Sequence, residues 1–327
     1  MLEEEEQTMQ SRLLAGRAVS AVLFGGASLS FRTELSEDER RAGLRLALDC
    51  GLTFVDTALA YSTTDEPHSS ERMIGEVLRE RGWVGGVAGA GSGAAEPGFA
   101  GAAEPGLTVA TKGGHYRDGE RFPIDNRPEK LERDVHGSLE ALGVDRLDLY
   151  YLHRHDENVP IEHSIEALAA MQVQGLIHRI GVSNVDLAEL RRAQSVAAIA
   201  AVQNPLRHAA DSGQREVVAA AEAEGLLVLF YSPLSVMNSS ANPSSAVDSS
   251  AATGAMGFAN APRIRELGER LGATPQQLVL AWALGISPAA AVVSGAMSAT
   301  SIRESAAAAS LSLSPDDRLS IERALPE

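Results

Sequence analysis

Gly51-Leu-Thr-Phe-Val-Asp56-Thr-Ala-Leu-Ala-Tyr61 reads as a short apolar, β-branched run that ends on a carboxylate, with a phenol five residues further on. Two later runs end in the same manner: Leu107-Thr-Val-Ala-Thr111 stops at Lys112, and Leu147-Asp-Leu-Tyr-Tyr-Leu152 stops at His153. Four polar side chains with complementary acid-base chemistry therefore sit at the mouths of successive predicted strands. A parallel barrel builds its site in this way, at the C-terminal ends of its strands.

Outward from these runs, short apolar segments alternate with longer helical patterns, the βα rhythm of a parallel sheet. Predicted strands are Val19–Phe24, Thr53–Asp56, Leu107–Thr111, Leu147–Leu152, Ile177–Val182, Ala200–Gln203, Leu226–Tyr231 and Ala291–Ser294. Predicted helices are Asp38–Cys50, Ser70–Arg81, Pro128–Leu142, Ile161–Gln174, Asp186–Ala193, Gly213–Ala223, Pro262–Leu271 and Pro275–Leu284. Ser36 with Glu39, and Thr274 before Pro275, mark helix starts. Gly51, Gly143, Gly225 and Gly272 follow helical patterns where a left-handed residue is needed. Periodicity alone also permits an open doubly wound sheet.

The 327 residues, 44% of them hydrophobic, suffice for one large core, and one domain is the default. With 28 Lys plus Arg against 44 Asp plus Glu, the net charge of −16 opposes binding to nucleic acid or to an anionic membrane. The one cysteine, Cys50, rules out an intramolecular disulfide framework and suits a reducing cytoplasm; it reads as a small core residue. No apolar run approaches the roughly 18 residues of a membrane span. The start, Met1-Leu-Glu-Glu-Glu-Glu6, is unlike a signal peptide, and residues 1–16 read as an acidic, solvated tail.

Two segments break the rhythm. Residues 85–106 contain Ala-Ala-Glu-Pro-Gly twice and little apolar bulk, a low-complexity insertion expected on the face opposite the site. Their Gly-x-Gly content is not read as a dinucleotide loop, because no strand precedes it and no helix start follows. Residues 235–261 are rich in Ser, Asn, Ala and Gly and follow the seventh strand on the catalytic face, as a lid or a flexible insertion would.

The order and strand context of Asp56, Tyr61, Lys112 and His153 resemble the catalytic tetrad of the aldo-keto reductase superfamily. Phe54-Val-Asp-Thr-Ala58, Ser70-Glu71 with Ile74-Gly75, Ile180-Gly-Val-Ser-Asn184, Val202-Gln-Asn204 and Tyr231-Ser-Pro-Leu234 look like further family signatures, spanning roughly residues 20 to 320. The resemblance implies a single-domain (β/α)8 TIM barrel from residue 17 to 327, and an NAD(P)(H)-dependent oxidoreductase interconverting a carbonyl and an alcohol.

Such a reaction needs hydride delivery to carbon and a proton for the developing alkoxide. The resemblance makes Tyr61 the proton donor, its phenol lowered by the ammonium of Lys112, which Asp56 holds charged; His153 then hydrogen-bonds the substrate oxygen. Also by resemblance, Ser183, Asn184 and Gln203 meet the nicotinamide carboxamide and Tyr231 stacks on its ring. The backbone of Ser232, Pro233 and Leu234 approaches the pyrophosphate, and residues 235–261 fold over it. Gly295, Ala296, Ser298 and Glu304 take the adenosine end. Here the chain departs from the family pattern: Ser294 replaces the usual Pro, and the basic residue expected near Met297 or Ser301 is missing, leaving Arg303 as the nearby substitute. NADP(H) is the favoured cofactor, with NAD(H) or dual use open.

His153-Arg-His155-Asp156 also invites a metal reading, but a strand end with one nearby carboxylate is a poor ligand set, and no metal is expected. Phe31, Tyr116, Phe122, His155 and Arg207 are expected at the substrate entrance. Set beside the family, the C-terminal loop that often closes the substrate pocket is expected to be short or absent, which implies an open pocket for a bulky or polar substrate. From a different class, a cofactor-binding regulatory subunit with little turnover is the alternative; the intact tetrad argues against it.

Overall fold

The computed structural model describes residues 10–83, 106–207, 211–237 and 258–326. Most of the expected insertion and lid, and residues 1–9 of the expected tail, lie outside them.

The described chain begins with an antiparallel hairpin of β1 (Ser11–Leu14) and β2 (Arg17–Ser20). The solvated tail expected through residue 16 ends earlier: from Ser11 on, the chain is folded. The turn residues Ala15 and Gly16 have φ of 47° and 86°, as a two-residue hairpin of the twist-matched kind requires. Leu14 and Val19 are buried beneath Leu23, Phe54 and Leu149. Arg12 ties the hairpin to the barrel, Nε donating to the Ala290 carbonyl (2.6 Å) and Nη2 to that of Leu284 (3.1 Å). The hairpin thus closes the N-terminal floor. It also divides the strand predicted over Val19–Phe24, which breaks at Ala21.

Eight parallel strands then close into a barrel: β3 (Val22–Gly25), β4 (Phe54–Asp56), β5 (Thr108–Gly113), β6 (Leu147–Leu152), β7 (Ile177–Ser183), β8 (Ile199–Pro205), β9 (Leu227–Tyr231) and β10 (Ala290–Ser294), which returns to β3. The (β/α)8 expectation is met. Along β6, Leu149 and Tyr151 point into the barrel while Tyr150 and Leu152 face the helices, the two-residue period of a strand.

The helices are α1 (Ala27–Phe31), α2 (Glu37–Asp49), α3 (Ser69–Glu80), α4 (Pro128–Leu142), α5 (Ile161–Val173), α6 (Leu187–Gln194), α7 (Ser212–Ala223), α8 (Pro262–Leu271), α9 (Pro275–Leu284), α10 (Ala299–Ala308) and α11 (Pro315–Ala324). Ser36 with Glu39, and Thr274 with Gln277, form the reciprocal caps that start α2 and α9. Gly51 and Gly143 follow α2 and α4 with φ of 82° and 71°, a conformation glycine adopts without strain. The helices α1, α10 and α11 are not among those predicted from the sequence. In α10 the Ala-rich run offers only Ile302 as a large apolar residue on its buried face, too weak a pattern to read. No helix among the described residues is long and apolar enough to cross a membrane.

Candidate active site at the barrel mouth

Asp56 is the last residue of β4, Lys112 lies one residue from the end of β5, and His153 is one past the end of β6. Parallel pairing brings these three strand ends to the same mouth of the barrel, each residue two positions beyond the register partner of the one before. The Lys112 ammonium is fully buried, donating to Asp56 Oδ2 (2.7 Å) and to the Thr57 carbonyl (2.9 Å). The other carboxylate oxygen, Asp56 Oδ1, accepts from Gln203 Nε2 (2.8 Å). Burial works against the ammonium, but the charge of Asp56 and then the phenol of Tyr61 outweigh it and hold the Lys112 pKa above the ordinary lysine value.

Tyr61 sits in the loop after β4, pinned by its backbone: its N–H donates to the Ala58 carbonyl, and its carbonyl accepts from Ser30 Oγ (2.8 Å). Lys112 Nζ is 4.9 Å from its ring centre. The ammonium by itself lowers the phenol's pKa, as expected from sequence. Burial is the larger effect and raises it, with Lys112 opposing. Tyr61 therefore keeps its proton at neutral pH.

His153 is anchored through its backbone, N–H to the Gly113 carbonyl (3.1 Å) and carbonyl to Asn184 Nδ2 (3.0 Å). Its imidazole is pushed well below its usual pKa by burial foremost, then by the charge of Lys112, with Arg154 adding to it, so the ring is neutral. Its Nδ1 is buried with no partner among the described residues.

Near the nicotinamide position expected from sequence, Tyr231 donates its hydroxyl to Asn184 Oδ1 (2.7 Å), and Asn184 Nδ2 donates to Ser183 Oγ (3.0 Å). Ser183 stands beside Gln203 in the β7–β8 register. Asn184 and Ser232 both have left-handed backbones, φ 58° and 49°, turning the chain sharply where β7 and β9 end. Pro233 and Leu234 open a single 3₁₀ turn through Met237. At the expected adenosine end, the Gly295 carbonyl accepts from Ser28 Oγ (2.8 Å), the Ala296 N–H donates to Ser294 Oγ (3.4 Å), and Ser298 caps α10 by accepting from the Ser301 N–H (3.1 Å). Arg303 is exposed on α10, and the Glu304 carbonyl is tied to Gln277.

The expected entrance residues divide. Phe31 lies edge-on to both Tyr61 (6.0 Å between ring centres) and Phe122 (6.2 Å). Tyr116 packs instead under the Lys130 ammonium, 4.3 Å away. His155 is turned aside, Nδ1 to Glu189 (2.6 Å) and Nε2 to the Val159 carbonyl (3.1 Å). Arg207 is exposed and 3.9 Å from Asp211.

Two residues escaped the sequence reading. His115 lies 5.0 Å from the His153 ring, its Nε2 donating to the Phe122 carbonyl (3.1 Å); burial foremost, then Arg154, lowers its pKa to about 4. Lys112-Gly-Gly-His115 was a usable signal, since two glycines let the chain fold back over the strand end: a Cβ on Gly113 would sit 2.0 Å from the Tyr150 hydroxyl, and Gly114 has φ 77°. Arg154 is the second, half-buried beside His153. Among the described residues, no cluster of His, Cys, Asp and Glu is arranged to hold a metal ion.

A model of the Aldo/keto reductase family matches residues 21–325. The chain is 27% identical to an aldo-keto reductase of Strobilurus tenacellus, over 98% of this chain and 93% of that one. It is 30% identical to pyridoxine 4-dehydrogenase of Escherichia coli (strain K12), over 84% and 82%. Among solved structures, the glycerol dehydrogenase of Gluconobacter oxydans superposes with a TM-score of 0.75 at 22% identity, covering 96% of this chain and 94% of that one. An aldo/keto reductase of Klebsiella pneumoniae, in complex with NADP and acetate, gives 0.71 at 22% identity over 98% and 96%. A closed parallel barrel with this quartet at its mouth, matched by the family model over nearly its whole length, makes the chain a member of the aldo/keto reductase family.

Proposed function

We propose that this protein is an NAD(P)(H)-dependent oxidoreductase that interconverts an aldehyde or ketone with the corresponding alcohol, with Tyr61 as the proton donor. The observation that carries this reading is the buried Lys112 ammonium, bonded to Asp56 and lying 4.9 Å from the Tyr61 ring.

A bound nicotinamide supplies the hydride to the carbonyl carbon, or accepts it in the reverse direction. The chain's own residues handle the proton. Tyr61 is protonated at neutral pH, and a developing alkoxide is a far stronger base than a phenolate, so transfer runs downhill. The phenolate left behind gains from Lys112, an electrostatic stabilisation aimed at charge that appears only during reaction. Asp56, held at both oxygens, keeps that ammonium in place. His153, neutral, hydrogen-bonds the substrate oxygen without adding a second cation.

The residues present fit a nicotinamide dinucleotide. Tyr231 has its hydroxyl tied back to Asn184, which fixes the plane of a ring suited to stacking. Ser183, Asn184 and Gln203 supply amide and hydroxyl groups beside it. The α10 N-terminus, behind Ser298, presents free N–H groups of the kind that bind phosphate, with Gly295 and Ala296 before it and Arg303 and Glu304 on the helix. NADP(H) is the favoured cofactor, as two Klebsiella pneumoniae relatives were crystallised with NADP and NADPH. The names pyridoxine 4-dehydrogenase and glycerol dehydrogenase support alcohol–carbonyl chemistry at such a barrel.

The test is a screen of aldehydes, ketones and alcohols with both nicotinamide cofactors, read at the NAD(P)H absorbance. Turnover is expected, and Tyr61→Phe abolishes it while cofactor affinity stays within a few-fold. A wild type that binds cofactor yet turns over nothing in the screen would instead make the protein a cofactor-binding regulatory subunit.

A further inference from the structure

Five aromatic side chains form a closed collar at the barrel mouth. Going round, the ring centres of Phe31 and Tyr61 are 6.0 Å apart, Tyr61 and His153 5.9 Å, His153 and His115 5.0 Å, His115 and Phe122 5.9 Å, and Phe122 and Phe31 6.2 Å, every pair edge-to-face. The members come from α1 and from the loops after β4, β5 and β6, so only the closed barrel assembles them. Both imidazoles are neutral, as burial dictates. The collar is therefore an uncharged frame suited to a flat or apolar body.

The cations around this frame are not equivalent. Arg117 is occupied: it donates to the carbonyls of Ser62 (2.9 Å) and Gly119 (2.8 Å) and lies over the Phe31 and Phe122 rings. Lys112 is neutralised by Asp56. Arg154 is half-buried and makes no hydrogen bond or ion pair among the described residues. Its charge is nevertheless felt at Tyr61, His115, His153 and Tyr231, at the mouth-side ends of β4, β5, β6 and β9.

The acids that could have paired with it are committed elsewhere. Asp156 Oδ1 accepts from the Asn158 backbone (3.0 Å) and side chain (2.9 Å), Glu189 takes His155 and the Asp186 N–H, and Asp56 holds Lys112. In a chain with 44 acids to 28 bases, a half-buried guanidinium without an acid partner is left able to pair with an anion that a ligand supplies.

Resting on the oxidoreductase reading, we propose that Arg154 reads an anionic oxygen group of the substrate: a carbonyl compound whose flat or apolar body fills the aromatic collar and whose carboxylate or phosphate pairs with the guanidinium. The planar fork of arginine suits either group.

The test compares matched neutral and anionic aldehydes with the full-length protein and cofactor: 4-formylbenzoate against its methyl ester, and 4-formylphenyl phosphate against 4-methoxybenzaldehyde. The wild type favours the anionic member in kcat/KM; the pair with the larger preference tells carboxylate from phosphate. Arg154→Met reduces that preference by about 10- to 100-fold, the worth of one hydrogen bond to a charged group, and Arg154→Lys restores part of it. Cofactor affinity is measured alongside. No anionic preference in the wild type, equal losses on both members of a pair, or a matching loss of cofactor affinity each overturn the proposal.

Calorimetric binding of benzoate against benzamide, to wild type and Arg154→Met, is independent of turnover. Selective benzoate binding lost in the variant, in a protein that reduces no aldehyde, sinks the oxidoreductase reading and keeps the anion site. Turnover without that selectivity does the reverse.

Discussion

Gln203 and Asp56, 147 positions apart in the chain, meet across the barrel, Gln203 Nε2 donating to Asp56 Oδ1 at 2.8 Å. Both are buried, so this amide supports the carboxylate that holds Lys112. Gln203→Leu leaves a buried carboxylate oxygen unpaired, and the protein should lose about 1–3 kcal/mol of stability. Urea unfolding measures it. An unchanged midpoint would mean water replaces the amide at no cost.

Tyr61→Phe and Lys112→Met should separate in stability though both abolish turnover. Removing the phenol hydroxyl takes away a positioned acid, which costs about 10²- to 10⁴-fold in rate, and leaves no buried charge behind. Removing the ammonium strands Asp56 in the core, where breaking one side of a buried pair costs about 3–5 kcal/mol. Thermal melts of the two variants beside steady-state rates check this. Equal melting temperatures would show that Asp56 is not destabilised alone.

Acid should weaken the fold through the mouth histidines. His115 has a folded-state pKa of about 4 against the usual 6.5, and burial moves His153 the same way. Between those values the unfolded chain binds protons that the folded chain refuses, so stability falls as pH falls through that window and the penalty is constant below it. In His115→Phe the decline should be shallower, as read by urea midpoints taken from pH 7 to pH 4. A slope identical to wild type would exclude His115 as a contributor.

The floor hairpin should matter to stability and not to chemistry. Leu14 is fully buried in the barrel interior cluster, and Leu14→Ala should cost about 2–5 kcal/mol through lost contacts and a residual cavity. Rates per folded molecule should match wild type, because the hairpin lies at the opposite end from Asp56, Lys112 and His153.

Cofactor choice turns on Arg303. The 2′-phosphate of NADP(H) needs a cation, and Arg303, exposed on α10, is the one basic residue between Ser294 and Ser305. Arg303→Ala should weaken NADP(H) by about 1.5–3 kcal/mol more than NAD(H), and Ser301→Arg should tighten NADP(H) selectively. Titration of both cofactors against the three proteins reads it. Equal losses would remove Arg303 from the 2′ position.

The strand-end residues Asp56, Lys112 and His153 are legible in the chain itself, because each ends a short, largely apolar run and a parallel barrel turns that position into a site. Helix punctuation was equally local: Ser36, Thr274 and Gly143 act within one turn of themselves. The floor hairpin is not legible there, because beyond Leu23 the residues that bury Leu14 and Val19, such as Phe54 and Leu149, lie on strands far ahead in sequence. Long-range packing likewise decided that Gln203 supports Asp56, that His155 turns to Glu189 and away from the mouth, and that Tyr61 keeps a raised pKa where a neighbouring ammonium alone would lower it. The aromatic collar and the unpaired charge of Arg154 belong to the same class. Proximity among residues brought together by barrel closure, and the loss of water that closure causes, set those energies; neither quantity is written in the spacing of residues along the chain.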